Sequence, residues 1–462
     1  MTSTFFGLET GLRGLQAQQA GLDVANHNIA NANTPGYSRQ NVNLRESLPY
    51  TDQAFNRPLS AQQIGTGVTV ASIQRARDLL LDGGYRTELS SQRSLEQTQT
   101  TLQDVESALA PTSGGIATQL DGFYQAWSNL ANDPTDLSAR TAVIQQASAL
   151  AASFNRAASQ LTTIRTGLDD QVASDVTQIN NFATQIASLN LDVMKAEQAG
   201  ANANDLRDQR DLLVDKLSEL VGVTTVEQPN GSIDVLLGGR AIVQGTTTDP
   251  LAAVAAAPGA VRQVLFASDS APATIASGAL SGVIDARDTR VPGYQANLDS
   301  IANGLITSVN ALHSTGFGQD GVSNRAFFVG SDASTIAVAP VIASDPTKLA
   351  AANAAGQAGN NGTALAIAQL GSGQGTGSPA SFAALVTQLG LDAQRSEGAA
   401  ENQAALVQFM GQKKQSVEGV SLDAEAVDMV RYQRAYEAAA RVITAMDEML
   451  QTLINQTGLA GR

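Results

Sequence analysis

A seven-residue repeat at both ends constrains this chain more than any other feature. Leu8, Leu15, Leu22 and Ile29 step by seven near the N-terminus, and Leu422, Met429, Tyr436, Ile443 and Leu450 do so near the C-terminus. Such a line occupies one stripe of a helix, so each end predicts a helix with a seam for a partner helix. Gly11, Gly14, Gly21, Ala25 and Ala32 lie beside the first line, and Tyr432, Ala439, Met446 and Leu453 follow the later members of the second. Glycine costs about 1 kcal/mol relative to alanine inside a helix. The N-terminal helix is therefore expected to be weakly stable alone and to gain order by docking. The seams are expected to pack together, with everything between them an excursion. Two unrelated amphipathic helices on one core is the alternative that periodicity leaves open.

The first seam ends in ANANTPGYSRQ, residues 30–40. Asn31 and Asn33 can take the left-handed conformation that closes a helix, and Thr34-Pro35-Gly36-Tyr37 fits a type II turn with Pro at its second and Gly at its third position. Pro prevents continuation of the helix. An extended arm is expected from there to about Ile73. Leu81, Leu95, Leu102 and Leu109 then follow a heptad track with Glu88 in one slot. Beyond Asn132-Asp133-Pro134 a helical pattern runs from about Asp136 to Ala199, through Phe154, Leu161 and Leu168 and on to Val172, Ile179, Ile186 and Val193. Unbroken, it would span roughly 95 Å; Gly167 is the expected kink. A short charged helix over 205–220 completes this part.

The texture changes at Gly222. Residues 222–245 alternate β-branched and polar residues around Pro229-Asn230-Gly231, a hairpin signal, and strand-like pieces are expected to about Ile284. Helix returns near 295–313, residues 356–377 read as a flexible loop, and helices resume to the end. The fold class expected is mainly α with a β-rich insert: paired terminal coiled-coil helices, a long helical-bundle stalk and an outer β module.

Bulk chemistry narrows the function. The 462 residues carry a net charge of −15 from 28 basic and 43 acidic side chains, which argues against a polyanion such as nucleic acid. With no cysteine there are no disulfides, thiolate nucleophiles or Cys-ligated zinc. No basic segment followed by an apolar one marks a secretory signal, and no apolar run reaches the roughly 18 residues of a membrane span. Export, if it occurs, is expected to need no cleaved signal, and no membrane insertion is expected.

No catalytic, cofactor-binding or metal site is expected. Gly316-Phe-Gly318-Gln-Asp-Gly321 has dinucleotide-loop spacing but follows a helix instead of a strand. No Gly-Lys pair or G-x-S-x-G elbow occurs. His27 and His313 are the two imidazoles; His27, among helix-end asparagines, reads as polar surface. Asp205, Asp208 and Asp211, interleaved with Arg207 and Arg210, read as a solvated, salt-bridged helix face.

A family resemblance rests on four stretches. ANHNIANANTPGYSRQ (25–40) resembles the N-terminal signature of bacterial flagellar rod, hook and hook-associated proteins. DLRDQRDLLVDKLSELVGV (205–223), GFGQDGVSNRAFF (316–328) and the segment 416–455 are similar to the hook-associated protein 1 family within that group. The resemblance is weak across 228–281, so an outer domain of longer members is expected to be reduced or absent. It implies that 1–34 and 421–462 form a paired inner coiled-coil layer, 35–75 a crossing arm, 76–221 with 286–420 a helical stalk, and 222–285 an outer β module. It implies a structural adaptor at the hook–filament junction, outside the cell, that polymerises as a homo-oligomer through its terminal seams. The implied partners are the hook protein, a second junction protein (hook-associated protein 3), a cytoplasmic export chaperone and the flagellar type III export apparatus. Tyr432, Tyr436, Val442, Ile443, Met446 and Leu450 are the implied chaperone contacts. Another axial protein, of hook or distal rod, would lack the 205–223 stretch. A secreted enzyme with axial-type ends would need a catalytic constellation in the β region, where no histidine occurs.

Overall fold

The computed structural model describes residues 5–49, 65–111 and 114–456. Parts of the sequence reading fall outside it: residues 1–4 and 457–462 of the terminal layer, 50–64 of the arm, 112–113 of the stalk, and the side chain of Leu453.

A 62-residue helix, α4 (Leu137–Gln198), is the axis on which the middle of the chain is built. At 1.5 Å per residue it is about 93 Å long. Its inward row runs without a break through Phe154, Leu161, Leu168, Val172, Ile179, Ile186 and Val193, all buried. Gly167 does not interrupt the helix: a side chain there would meet open space, so no packing forces a bend. Helices α2 (Leu79–Leu109), α3 (Ile116–Asn132) and α5 (Asn204–Leu220) pack along α4, and α10 (Pro379–Glu418) lies along α2. Glu88, the polar member of the α2 heptad track, meets α10, where Gln403 Nε2 donates to its carboxylate (2.6 Å) and to its carbonyl (3.0 Å).

The β-rich part forms strands β3 (Val223–Glu227), β4 (Ile233–Leu237), β5 (Arg240–Gln244) and β6 (Thr247–Thr248) in one antiparallel sheet, and β7 (Leu251–Ala255) with β8 (Arg262–Phe266) in a second. Gly231, at φ +82°, makes the β3–β4 turn, which only a residue without Cβ adopts freely. Along β4, Ile233, Val235 and Leu237 alternate inward and join the same apolar core as the helices. Polar pins fix the docking. Asn190 of α4 accepts the Ile233 N–H (3.0 Å) and donates to the carbonyls of Ile233 (2.8 Å) and Gly245 (2.6 Å). Asn180 exchanges both bonds with the Leu251 backbone. The β region therefore lies flank-on along α4 and shares its core.

Two segments depart from expectation. Strand character stops at Phe266. Residues 279–285 form helix α6 (Ala279–Asp285), which continues through a π-helical turn over Ala286–Arg290 into α7 (Val291–His313). Leu280, Val283 and Ala286 are buried there at helical spacing that a short apolar run did not distinguish from strand. The Gly- and Ser-rich stretch 356–377 contains helix α9 (Gly362–Leu370), anchored by buried Thr363, Ala364 and Ile367. Between them lie β9 (Phe328–Val329), β10 (Ala337–Val338) and the short α8 (Pro340–Ala343).

An aromatic cluster of Phe123, Trp127, Phe327 and Phe328 closes one end of the core around His313. The buried ring donates through Nδ1 to the Arg325 carbonyl (2.8 Å) and accepts the Ala350 N–H at Nε2 (2.9 Å), an arrangement that requires the neutral form. Burial, with the nearby Arg325 charge, pushes its pKa from 6.5 down to about 4. A depressed histidine contributes stability above its unfolded value and loses it as pH falls toward the folded one. We predict that the stability gap between the parent chain and His313→Gln, followed by thermal unfolding, is largest above about pH 6.5. It should shrink by up to about 3 kcal/mol as pH falls toward about 4.

Candidate assembly surface

The terminal helices α1 (Phe6–Asn31) and α11 (Leu422–Gln456) form an antiparallel pair. Met446 lies over Gly7, Ile443 over Gly11, Ala439 over Gly14, Tyr432 over Gly21, and Glu425 meets Asn28. The α1 line in this contact is thus made of small residues. A Cβ at Gly21 would come within 2.6 Å of the Tyr432 ring, and one at Gly11 within 2.9 Å of Ile443. Absence of a side chain lets the backbones approach, and the larger residues of α11 fill the grooves.

This corrects the seam on α1. Leu8, Leu15, Leu22 and Ile29 are only half-buried and flank the contact line, whereas Gly11, Ala17, Gly21, Ala25 and Asn28 are the buried members. On α11 the facing line is Glu425, Tyr432, Ala439 and Met446, with Ile443 beside it. Met429, Tyr436 and Leu450 are half-buried and Leu422 is 54% exposed, because it is the first helical residue and lies to one side of that line. The chaperone candidates divide accordingly: Tyr432, Ile443 and Met446 are covered by α1, Tyr436 and Leu450 are half-buried, and Val442 is half exposed. Val427, Val430 and Met449 are exposed by half or more and lie outside the contact line.

Helix α1 ends differently from expectation. Neither Asn31 nor Asn33 is left-handed; Ala32 caps the helix in right-handed geometry, and Asn31 stays helical, donating to the His27 carbonyl (3.1 Å) and accepting from Thr34 Oγ1 (3.1 Å). The reversal comes from Thr34–Tyr37, with Gly36 at φ +81° and the Tyr37 N–H on the Thr34 carbonyl (3.1 Å), as a type II turn requires. The arm then doubles back: β1 (Gln40–Glu46) pairs antiparallel with β2 (Val68–Arg75), so Arg75 returns beside Gln40. This ribbon lies on α1, where Arg13 reaches Ser47 and the Thr66 carbonyl.

The turn delivers the chain to a buried polar node. Asn28 donates to the Gln40 carbonyl (2.9 Å) and Glu425 (3.1 Å), and its Oδ1 accepts from the Gln40 N–H (2.9 Å) and the Tyr37 hydroxyl (2.7 Å). Burial, reinforced by Asp205, Asp208 and Glu425, raises the Tyr37 phenol well above its usual pKa and keeps it a donor. Ser38 donates both its N–H and its hydroxyl to Asp208 (2.9 and 2.8 Å). Arg75 bridges Asp208 (2.8 Å) and Asp211 (2.7 Å). Arg77 grips Asp82 through two bonds of 3.0 and 2.9 Å and reaches Asp211 at 3.1 Å. Arg86 holds Asp215, and Lys414 joins Asp82 to Asp215 at 2.9 Å each. Burial would lower the Arg77 pKa, but Asp211 and Asp82 outweigh it and raise it; Arg77 and Lys414 overcome burial at Asp82 and hold its carboxyl far below its usual range. From α11, Glu425 and Asp428 reach Arg39, whose N–H donates to the Glu418 carbonyl (2.8 Å).

The α5 face is therefore not solvated surface. Asp208, Asp211 and Arg210 are all buried, Arg210 at 1% exposure on Asn190 Oδ1 (3.0 Å) and the Gly231 carbonyl (2.8 Å). Spacing carried a usable signal: Asp208, Asp211 and Asp215 share one helical stripe, and Arg75 and Arg77 stand two residues apart at the end of β2. Of the residues expected on that helix to be exposed, Asp205 is more than half so and contacts His27 (3.3 Å). Among the described residues no cluster of ligating side chains could hold a metal ion.

Comparison with known proteins places both ends. Residues 8–37 match the family described as flagella basal body rod protein, and 413–456 the flagellar basal body rod FlgEFG protein C-terminal family. The paired helices and turn are thus those of a structural component of the bacterial flagellum. Residues 102–328 match the flagellar hook-associated protein FlgK helical domain. Flagellar hook-associated protein 1 of Bacillus subtilis is 32% identical over 508 aligned positions covering 100% of both chains. Its Salmonella typhimurium counterpart is 31% identical over 69% of this chain and 58% of its own. The flagellar hook junction protein FlgK from Burkholderia pseudomallei aligns with TM-score 0.48 and 30% identity over 54% of this chain and 46% of its own. The chain belongs to the flagellar hook-associated protein 1 family.

The close approach at Gly21 generates a prediction. Gly21→Val should weaken the α1–α11 pair by about 1–3 kcal/mol of overpacking. In hydrogen exchange, amides of 6–31 and 422–456 should lose protection while α2 and α10 keep theirs.

Proposed function

We propose that this chain is the adaptor between flagellar hook and filament, and that it polymerises through its terminal helix pair at the distal hook end. The observation that carries this reading is the state of that pair. Among the described elements, α11 packs extensively only against α1, and Val427, Val430, Val442 and Met449 face away from that contact, exposed. Leu12 on α1 is exposed as well, beside the half-buried row Leu8, Leu15, Leu22 and Ile29. Neighbouring copies would cover these flanks, each Leu-sized side chain contributing roughly 1.5–3 kcal/mol, while the glycine line holds each pair together. In this reading the terminal pair is the inner layer, residues 35–75 the crossing arm, 76–221 with 286–420 the stalk and 222–285 the outward module. The hook protein would contact the assembled layer on one side and hook-associated protein 3 on the other.

Export through the flagellar type III apparatus fits the same design. A cytoplasmic chaperone that takes Tyr432, Tyr436, Val442, Ile443, Met446 and Leu450 would occupy three residues that α1 covers in the folded chain, Tyr432, Ile443 and Met446, so chaperone and α1 would exclude one another. Matches to rod-type families at both ends also fit a hook or rod component; the helical-domain match over 102–328 favours the junction.

Gene deletion, with electron microscopy of the cell surface and a blot of the medium, tests the role. Complete hooks without filaments, with filament protein shed into the medium, are expected; missing hooks would move the protein inward, and working flagella would end the proposal. Ile443→Asp places a charge opposite Gly11. Secreted, unincorporated protein with a folded stalk is expected, whereas normal filaments would count against polymerisation through this pair.

A further inference from the structure

In the node beneath the terminal helices, one buried carboxylate oxygen stands without a hydrogen-bond partner. Glu418 is the last residue of α10 and is buried, and its Oε1 has no hydrogen-bond partner. It stands 3.6 Å from Arg77 Nε, a nitrogen already donated to Asp82. The groups around it come from every element of the joint. Arg77 follows β2, Asp82 belongs to α2, Asp208, Asp211 and Asp215 to α5, and Lys414 to α10. Tyr85 and Arg86 of α2 lie on the Lys414–Asp215 side, while Arg39, Glu425 and Asp428 close the α11 side. The carboxylates Asp82, Asp208, Asp211 and Asp215 each lie within 3 Å of a cation of the node, whereas Glu418 stands no closer than 3.6 Å to one.

We propose that Glu418 is a proton-operated lock on the joint between the terminal helix pair and the stalk, closed when its carboxyl is protonated and loosened when it ionises. A proton taken from solvent removes the negative charge that Glu418 sets against Asp82 and turns its carboxyl into a donor toward Asp82. Its position gives the change leverage. The Glu418 carbonyl holds the Arg39 N–H, Arg39 holds Glu425 and Asp428 of α11, and α11 begins three residues beyond Gly419. A shift of Glu418 therefore moves two of the connections to the helix pair, the α10–α11 link and the Arg39 bridge to α11.

The working range follows from the surroundings. Burial, joined by the Asp82 charge, raises the Glu418 pKa from 4.5 to about 7, and Arg77 and Lys414 oppose this without cancelling it. An acid whose pKa is higher in the closed state favours closure at low pH. That preference is lost as pH rises from about 4.5 to about 7 and changes no further above it. His313 and Asp175 also titrate abnormally, but both sit in the stalk core and act on its overall stability.

The chain has no cysteine, so two introduced ones can carry spin labels in the full-length protein. Ala438→Cys on α11 and Thr163→Cys on α4 are both exposed sites; His27→Gln as common background removes the exposed imidazole near the joint. One narrow distance is expected at about pH 5.5 and a second population at about pH 8, their ratio changing by at most about tenfold per pH unit. Glu418→Gln should keep the narrow distance at both. The same distribution at both pH values, or an undiminished response in Glu418→Gln, would overturn the lock. Carboxyl NMR of the glutamate-labelled parent chain needs no substitution at the joint: one glutamate titrating near neutrality supports the proposal, and all of them titrating near 4.5 would overturn it.

Discussion

The stripe of carboxylates on α5 is what the rest of the molecule is arranged around. Asp208, Asp211 and Asp215 reach the first residue after the turn, both arginines at the end of the ribbon and, through Lys414, the last turns of α10. Those segments are far apart in sequence and have little apolar surface to bring them together. Buried charges hold them because each carboxylate there is costly unless paired, and pairing specifies partner and direction. The alternative arrangements of this joint are penalised more heavily than the observed one is stabilised. That is how a polar junction can define an angle where a greasy one would tolerate several.

Above the node the problem is the opposite one. The α1–α11 contact has almost no polar specificity along its length, and its register comes from shape, glycine against Tyr432 and Ile443 and alanine between them. At its base that register is finished by the Asn28–Glu425 bond. The helix pair is therefore thin and leaves its leucine flank and valine face available, which a pair zipped through its own leucines would not. This economy of contact is what makes the ends suited to association with further chains.

Much of this could be read from the residues. The heptads gave helices at both ends, α4 followed its apolar row for its full length, and Gly36 and Gly231 reported their turns through the conformations only glycine takes freely. The failures have a common cause. Periodicity locates a stripe but cannot say which of two adjacent stripes is covered, so the leucines of α1 drew attention away from the glycines that make the contact. Charge in a helix was read as surface, although Arg210 and Asp208 are buried, because the partners that neutralise them lie more than a hundred residues away or in the backbone of a hairpin. Gly-rich composition hid α9, whose buried Thr363 and Ile367 matter only once α3 and α7 are beside them.

The polar rungs along α4 have a mechanical consequence. Arg140 is tied to the carbonyls of Pro134 and Leu349, Asn155 to those of Ala333 and Ile336, Asn180 to Leu251, and Asn190 to Ile233 and Gly245. Layers held only by apolar contact can slip past one another, as unglued boards do under load. Layers dowelled at several heights cannot, and bend as one beam whose stiffness climbs steeply with its depth. A torque applied at the tip of such a body passes down it with little loss and collects at the first place that is not dowelled.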